Sequence, residues 1–374
     1  MTEKISVMIE SDLGVMFQDS RGMYMATPGR EGELPHINIT ADTYPAAYEL
    51  AIISLHKYGA RSRTHYDLKD KSGEYIHPPS IEANVSVEIR NPLKEPRMHL
   101  MVPGDFKQLE LYRQEVAEGI HDSWVEPGTS KWTYTYSERL NNWNPSTDLA
   151  SKDRGLLLPK GVNQLELVVE DLVRDITSKG AQATIWIPTA DPMLESNRPC
   201  LQRIWFRAYD FGDKIDLNAN WYFRSRDLMA WFMNDWGLTS LVEGVASELA
   251  NAKDKPVNIR RIKDNSDSLH IYGKDQKMVD KYVKRMESAE GFGERVFRTN
   301  FCELFEDELT SQESFFKEET LGEREELRVN PHKGLNLDSQ RNLAKRLAEN
   351  YKTDPTMLTE RDRNFVLNFF PEFL

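Results

Sequence analysis

Apolar positions along the chain fall into two periods. From Thr40 to Gly59 (TADTYPAAYELAIISLHKYG) they recur at helical spacing and the run ends in Gly, which predicts a helix. The same period predicts helices over Asp105 to Gly119 and Val162 to Ser178, and a charged helix over Asp275 to Ser288. Alternation predicts a strand over Val85 to Ile89, and the short apolar run Ala183 to Pro188 a buried one. Between Leu201 and Phe223, two aromatic-rich runs flank the turn Asp210-Phe211-Gly212-Asp213, a hairpin signal. Asp227 to Ala250 is apolar on several faces, so its helix should lie centrally, with a short strand at Leu269 to Tyr272 beyond it. Ala60 to Ser80 reads as a loop carrying Arg61, Arg63, Lys69 and Lys71, and the polar stretch Tyr136 to Asp153 as a surface loop.

Composition narrows the picture. A chain of 374 residues allows two to three domains. The character changes beyond about Gly291, where Glu and Arg dominate, so the expected division is a lead over 1–39, a main domain over 40–289 and a partly helical polar extension over 290–374. With 48 Lys and Arg against 60 Asp and Glu, the net charge of −12 argues against a nucleic-acid-coating surface and leaves room for a local basic pocket. Two cysteines exclude a disulfide scaffold. Met1 to Asp12 is charged throughout, without the apolar core of a signal peptide, and no run approaches the ~18 apolar residues of a membrane span. A cytoplasmic protein is expected, with no membrane partner.

Gly291-Phe292-Gly293 lacks the third glycine and the preceding strand of a dinucleotide loop, and no phosphate-loop, HExxH or paired CxxC motif occurs. Cys200 is more informative. It follows Pro199 in SNRPC, directly before a predicted strand, although a lone cysteine is more often inert. Downstream come Arg224-Ser225-Arg226-Asp227, Asn234-Asp235 and His270-Ile271-Tyr272; upstream lie Glu110 in its helix, Trp124, and Tyr136 in WTYTYSERLNNW. This order, over roughly 40–285, resembles the thymidylate synthase superfamily: a helix-borne glutamate, a tryptophan, a tyrosine, a Pro-Cys nucleophile, an RSxD phosphate motif, a base-reading residue and an HxY pair.

The resemblance implies an α/β fold with a mixed sheet flanked by helices, paired as a homodimer. It implies a pyrimidine nucleoside monophosphate as substrate, 5,10-methylenetetrahydrofolate as co-substrate, and no metal. Cys200 would add to C6 of the ring, Glu110 would relay protons through water, and Tyr136 would support the cysteine or the water network. Arg224 and Ser225 would bind the phosphate, Asn234 and Asp235 the base, and His270 and Tyr272 the sugar hydroxyl. For the last two, core packing is the competing explanation. Asp227, Trp124 and His121 would contact the folate.

One position points to specificity. Uracil-reading members place Asn eight residues after the RSxD aspartate, where this chain has Asp235. Cytosine presents a donor at N4 and an acceptor at N3, the reverse of uracil, and a carboxylate can accept from N4. The stretch therefore looks more like the bacteriophage deoxycytidylate hydroxymethylases, implying 5-hydroxymethylation of dCMP. CMP or dUMP hydroxymethylation, thymidylate synthesis, or a catalytically silent nucleotide-binding or scaffold role remain alternatives. The chain also departs from the pattern. The family's cross-subunit arginine pair falls near Lys179-Gly180, so phosphate charge would come from Lys179 or from Arg61, Arg63 or Lys71. His121 stands where synthases have a folate-shielding tryptophan, which would admit water to the reacting carbon.

Overall fold

Short β-hairpins open the chain: β1 (Val7–Ser11), β2 (Gly14–Asp19), β3 (Gly22–Thr27) and β4 (His36–Ala41). The computed structural model describes residues 6–103, 106–125, 133–143, 161–188, 190–194, 197–297, 337–353 and 360–373. Helix α1 (Tyr44–Tyr58) follows, then β5 (Ala60–Ser62), β6 (Ser80–Ile89), β7 (Met98–His99), α2 (Phe106–Glu118), α3 (Tyr136–Asn141), α4 (Gln164–Arg174) and β8 (Gln182–Thr184). The hairpin β9 (Leu201–Asp210) and β10 (Ile215–Phe223) leads through β11 (Arg226–Asp227) into α5 (Leu228–Lys253), β12 (Val257–Ile271), α6 (Gln276–Met286) and β13 (Val296–Phe297). The described chain ends in α7 (Leu337–Thr353) and α8 (Glu360–Phe369).

Among the described residues eleven strands form a mixed sheet in the order β1-β2-β3-β4-β6-β12-β10-β9-β8, with β5 beside β6 and β11 beside β12, and β7 pairs separately with β13. The fold is thus the mixed α/β arrangement that the resemblance implied, and residues 7–41 continue the main sheet. In β10 the odd positions Ile215 to Phe223 are buried while Asp216, Asn218, Asn220 and Tyr222 stay half-buried, so one face carries the core and the other is polar. Helices α1 and α5 cover the core face, and α2 packs on α5. This second cover explains why α5 is apolar on several sides: Trp231, Leu238, Val242 and Leu249 have no exposed side to serve.

Several boundaries differ from the sequence expectation. Thr40 and Ala41 finish β4, because their pairing with β6 outweighs the helical pattern, and α1 starts at Tyr44 with Pro45 in its first turn. The strand expected at Leu269 to Tyr272 is the end of a strand beginning at Val257, whose polar half offers little apolar signal. Tyr136 to Asn141 is helical, capped by the Thr135 side chain accepting from Glu138 N, where a loop was expected; positions 144–153 lie outside the described residues. Within the expected 290–374 extension, α7 and α8 form their own apolar cluster around Leu343, Leu347, Phe365 and Phe370, with Trp124 packed against it. Positions 298–336 lie outside the described residues. No described helix is long and apolar enough to cross a membrane.

A buried ionic cluster ties the hairpins to the helices. Glu49 of α1 accepts from Arg21 (2.7 Å), Arg295 (2.6 Å) and His99 (2.9 Å), and its side chain is fully buried. Burial alone would raise this carboxyl, but hydrogen bonds from His99, Arg295 and Arg21 hold it at about 2, below its usual 4.5. Since the folded value is depressed, the stabilisation is full above about pH 4.5 and is lost as pH falls toward 2. Glu49→Gln should cost about 3–5 kcal/mol in urea unfolding, because it strands buried cations. Its stability should also change less than the parent's across that acid window.

Candidate active site

The β9/β10 hairpin places the nucleophile candidate. Phe223 pairs with Leu201 and Tyr222 with Arg203, so Gln202 is a bulge beside Cys200. Its amide donates to the Pro199 and Cys200 carbonyls at 3.0 and 3.2 Å. Such a bulge turns the strand end and re-aims its side chains. Arg224, where β10 ends, donates its backbone N–H to Cys200 O at 3.0 Å. Its guanidinium donates to Pro199 O (2.9 Å) and Arg198 O (2.8 Å), leaving Nη2 at 4.0 Å from the half-buried Cys200 Sγ.

The next turn brings in β11, which pairs in parallel with Leu269 and His270 of β12. A second bulge, between Ser266 and Leu269, precedes this pairing. His270 donates Nδ1–H to Ser268 O at 3.2 Å, an assignment that leaves Nε2 as an acceptor. Its ring meets Tyr272 edge-on at 4.6 Å. From α5, Asn234 donates to the Tyr112 hydroxyl of α2 at 2.7 Å. These elements enclose a cleft of about 520 Å³ lined by Cys200, Arg198, Arg224, Ser225, Arg226, Asp227, Asn234, His270, Tyr272, Tyr134, Tyr136, Tyr66 and His65. That volume suits a nucleotide-sized ligand. Tyr134, Tyr136 and Asn197 also line a neighbouring recess of about 240 Å³, with Tyr112 and Glu115.

Burial pushes the Cys200 thiol up, while Arg224 and then Arg226 pull it back. Burial lowers His270 and favours its neutral form, with Asp227 opposing. Burial likewise raises the Asp227 carboxyl. Tyr136, raised well above its usual value by burial, accepts from Leu201 N at 3.3 Å and so buttresses the residue after the cysteine. Arg139 of α3 also grips the buried Asp191 through two bonds of 2.6 and 2.8 Å.

The cleft therefore brings together Cys200, Tyr136, Arg224, Ser225, Asp227, Asn234, His270 and Tyr272. Other expected site residues lie elsewhere. Glu110 is buried on another face of α2, bound to Arg113 (2.8 and 3.0 Å) and Gln114 (2.8 Å). The carboxylate of α2 that faces the tyrosine recess is Glu115, one turn on from Tyr112. Asp235 is buried against Arg226 and does not line the cleft, because the helix turns its side chain away where Asn234 points in. His121 is buried too, bonded to Glu115 (2.9 Å) and stacked on Trp124 at 3.8 Å. Trp124 continues into the α7/α8 cluster, so neither faces the cleft. Lys179 is exposed and its carbonyl accepts from Trp205 at 2.9 Å. Arg61 and Arg63 bond Gln276 and Asp67, and Lys71 is exposed outside the lining.

Glu115, Tyr112, Arg198 and Arg226 were not singled out from sequence. Tyr112 and Glu115 share a helix face at a spacing of three, a signal that was available; nothing in sequence places Arg198 over the cleft.

Three relatives extend this picture. A putative thymidylate synthase of Methanosarcina barkeri is 32% identical over 179 residues, 48% of this chain and 67% of the relative. One from Methanosarcina mazei is 30% identical over 202 residues, covering 54% and 77%. The chain belongs to the thymidylate synthase family. A third such relative, from Methanothermobacter marburgensis, is 29% identical over 206 residues, 54% of this chain and 81% of that one. No family model matches the chain. For this thymidylate synthase family member the raised Cys200 thiol yields a test: its alkylation by iodoacetamide, located by peptide mass to separate it from Cys302, should accelerate with pH to beyond the ordinary cysteine range. In Arg224→Met the midpoint should move further up, since the cation that most favours the thiolate is gone.

Proposed function

We propose that the protein transfers a one-carbon unit to C5 of a pyrimidine nucleoside monophosphate, with Cys200 as the nucleophile. The observation that carries this reading is the Arg224 guanidinium, fixed on the backbone of residues 198–199 and directed at Cys200 Sγ in a cleft that also holds Asn234, His270 and Tyr272. Arg224 favours the thiolate, which adds to C6 and turns C5 into a carbon nucleophile. Ser225, Arg198 and Arg224 are the cleft donors available for the phosphate. His270 and Tyr272, which line the cleft, are assigned to the sugar hydroxyl. Glu115 takes the proton-relay role expected of Glu110, acting through the tyrosine recess.

Methylenetetrahydrofolate fits the residues present: Tyr66, Tyr134, Tyr136 and Tyr272 offer flat faces for a pterin, and the Asp227 carboxylate an acceptor for its N–H groups. When bound, it would supply carbon at the oxidation level of formaldehyde and, for a methyl product, the hydride that reduces it, leaving as dihydrofolate. Cys200, Glu115 and the tyrosines position the ring, exclude water and move the C5 proton, and elimination of Cys200 closes the cycle.

The base assignment rests on Asn234, whose amide carries the donor and the acceptor that uracil O4 and N3–H require, which supports dUMP. A methylated product is supported by the relatives named putative thymidylate synthase. Cytosine reading and hydroxymethylation rested on Asp235 and His121, neither of which lines the cleft. A homodimer is supported by the polar, half-buried sheet face bearing Asn218, Asn220 and Tyr222.

The test is turnover with dUMP, dCMP or CMP and methylenetetrahydrofolate, read by product mass. Addition of CH3 to dUMP with dihydrofolate formation is expected; addition of CH2OH to dCMP would overturn the base and product assignments. Cys200→Ser should lower turnover about 10⁴-fold. Glu115→Gln should lower kcat about 10²-fold or more, whereas Glu110→Gln should mainly lower stability, since Glu110 binds Arg113 and Gln114 rather than the cleft.

A further inference from the structure

Beneath the base-reading amide lies a buried arginine that the proposed chemistry does not use. Arg226 lines the cleft yet is only 2% exposed. Its Nη1 donates to Asp264 at 2.5 Å, and its Nη2 donates to Asp235 and, at 3.1 Å, to the Trp231 carbonyl. The Phe223 ring lies 4.0 Å from the guanidinium carbon. Asp264 is itself held by Trp231 Nε1 at 2.5 Å. Both ends of the guanidinium are thus anchored on different elements, β12 and α5, and its plane cannot turn. Of the two N–H groups left, Nε–H is aimed at Asn234 Oδ1 at 3.2 Å.

We propose that Arg226, anchored by Asp235 and Asp264, is a positioning residue that fixes the hydrogen-bond polarity of Asn234 and so sets which pyrimidine edge the cleft accepts. The inference rests on the base-reading role given to Asn234 above. Arginine has five N–H donors and no acceptor, so only the amide oxygen of Asn234 can face it. The amide nitrogen then faces the Tyr112 hydroxyl, which accepts from it at 2.7 Å. One N–H and one oxygen lone pair are left for a ligand, in a set order.

Uracil shows an acceptor at C4 beside a donor at N3, and cytosine shows the reverse. A free amide serves either edge by rotating half a turn; this one, on rotating, would point N–H at N–H. Tyr112 alone cannot impose the order, because a hydroxyl can donate or accept. Asp235 therefore acts on specificity through Arg226 and not by touching the base.

The test compares binding of dUMP and dCMP, by calorimetry, to the full chain and to the charge-free variant Arg226→Gln/Asp235→Asn/Asp264→Asn, in which Gln can present either polarity. The parent should prefer one nucleotide by about 10- to 100-fold, the range set by an unpaired buried polar group. In the variant this ratio should fall to within about threefold of unity. A ratio unchanged in the folded variant overturns the inference, as does a parent that binds both nucleotides equally. Tyr112→Phe supplies a second arm should the triple variant not fold: the ratio should persist, since Arg226 still holds Oδ1, and its collapse would assign the lock to Tyr112 and overturn the inference. A parent that binds neither nucleotide sinks the proposed function and this inference together; binding whose ratio ignores Arg226 sinks the inference alone.

Discussion

The backbone hydrogen bond from Arg224 N to Cys200 O, at 3.0 Å, closes the far end of the β9/β10 hairpin and determines much of what surrounds it. It joins the residue after β10 to the residue before β9, so the cysteine and the arginine cannot drift apart without opening the end of the hairpin. The guanidinium then folds back onto the Pro199 and Arg198 carbonyls, and its charge is delivered to the sulfur by main-chain geometry. Gln202, bulged from the ladder, shares the Pro199 carbonyl with Arg224 and also holds that of Cys200. A thiol that burial would keep protonated is thereby given a fixed cationic neighbour.

Around this closure the molecule separates anchoring charges from working ones. Glu49 with Arg21, Arg295 and His99, Arg139 with Asp191, and Arg226 with Asp235 and Asp264 are buried sets that link separate elements of the fold. Each fixes an element that reaches the cleft or supports the sheet under it. Arg224, by contrast, spends its hydrogen bonds on carbonyl groups and keeps its charge unneutralised by any carboxylate bond in the cleft. The distinction matters because an arginine neutralised by aspartates, such as Arg226, lends less field to a thiolate or a phosphate than one bound only to neutral oxygens.

The route from α7 and α8 to the cleft is short. Their apolar cluster packs on Trp124, Trp124 stacks on His121, and His121 bonds Glu115 at the tyrosine recess. Arg346 of α7 also donates to Ser123 O at 2.6 Å. Residues that sequence assigned to folate contact thus mediate between the C-terminal helices and a carboxylate of the recess.

Local order along the chain determined the family, the mixed α/β class, most helices, the hairpin, and which residues of the short motifs, Cys200, Arg224, Ser225, Asp227, Asn234, His270 and Tyr272, would line one cleft, because the spacing within such motifs survives folding. Tertiary structure decided the rest. Asn234 and Asp235 are adjacent in sequence, and only the rotation of α5 against α2 and β12 shows that the first faces the cleft and the second a buried arginine. Glu110 and Glu115 ride one helix, and a difference of five residues puts their carboxylates on different faces. Likewise Thr40 and Ala41 follow a helical pattern yet pair as strand, since β6 lies beside them. Spacing along the chain specifies which residues share a motif; which way each side chain points is fixed only when neighbouring elements have packed.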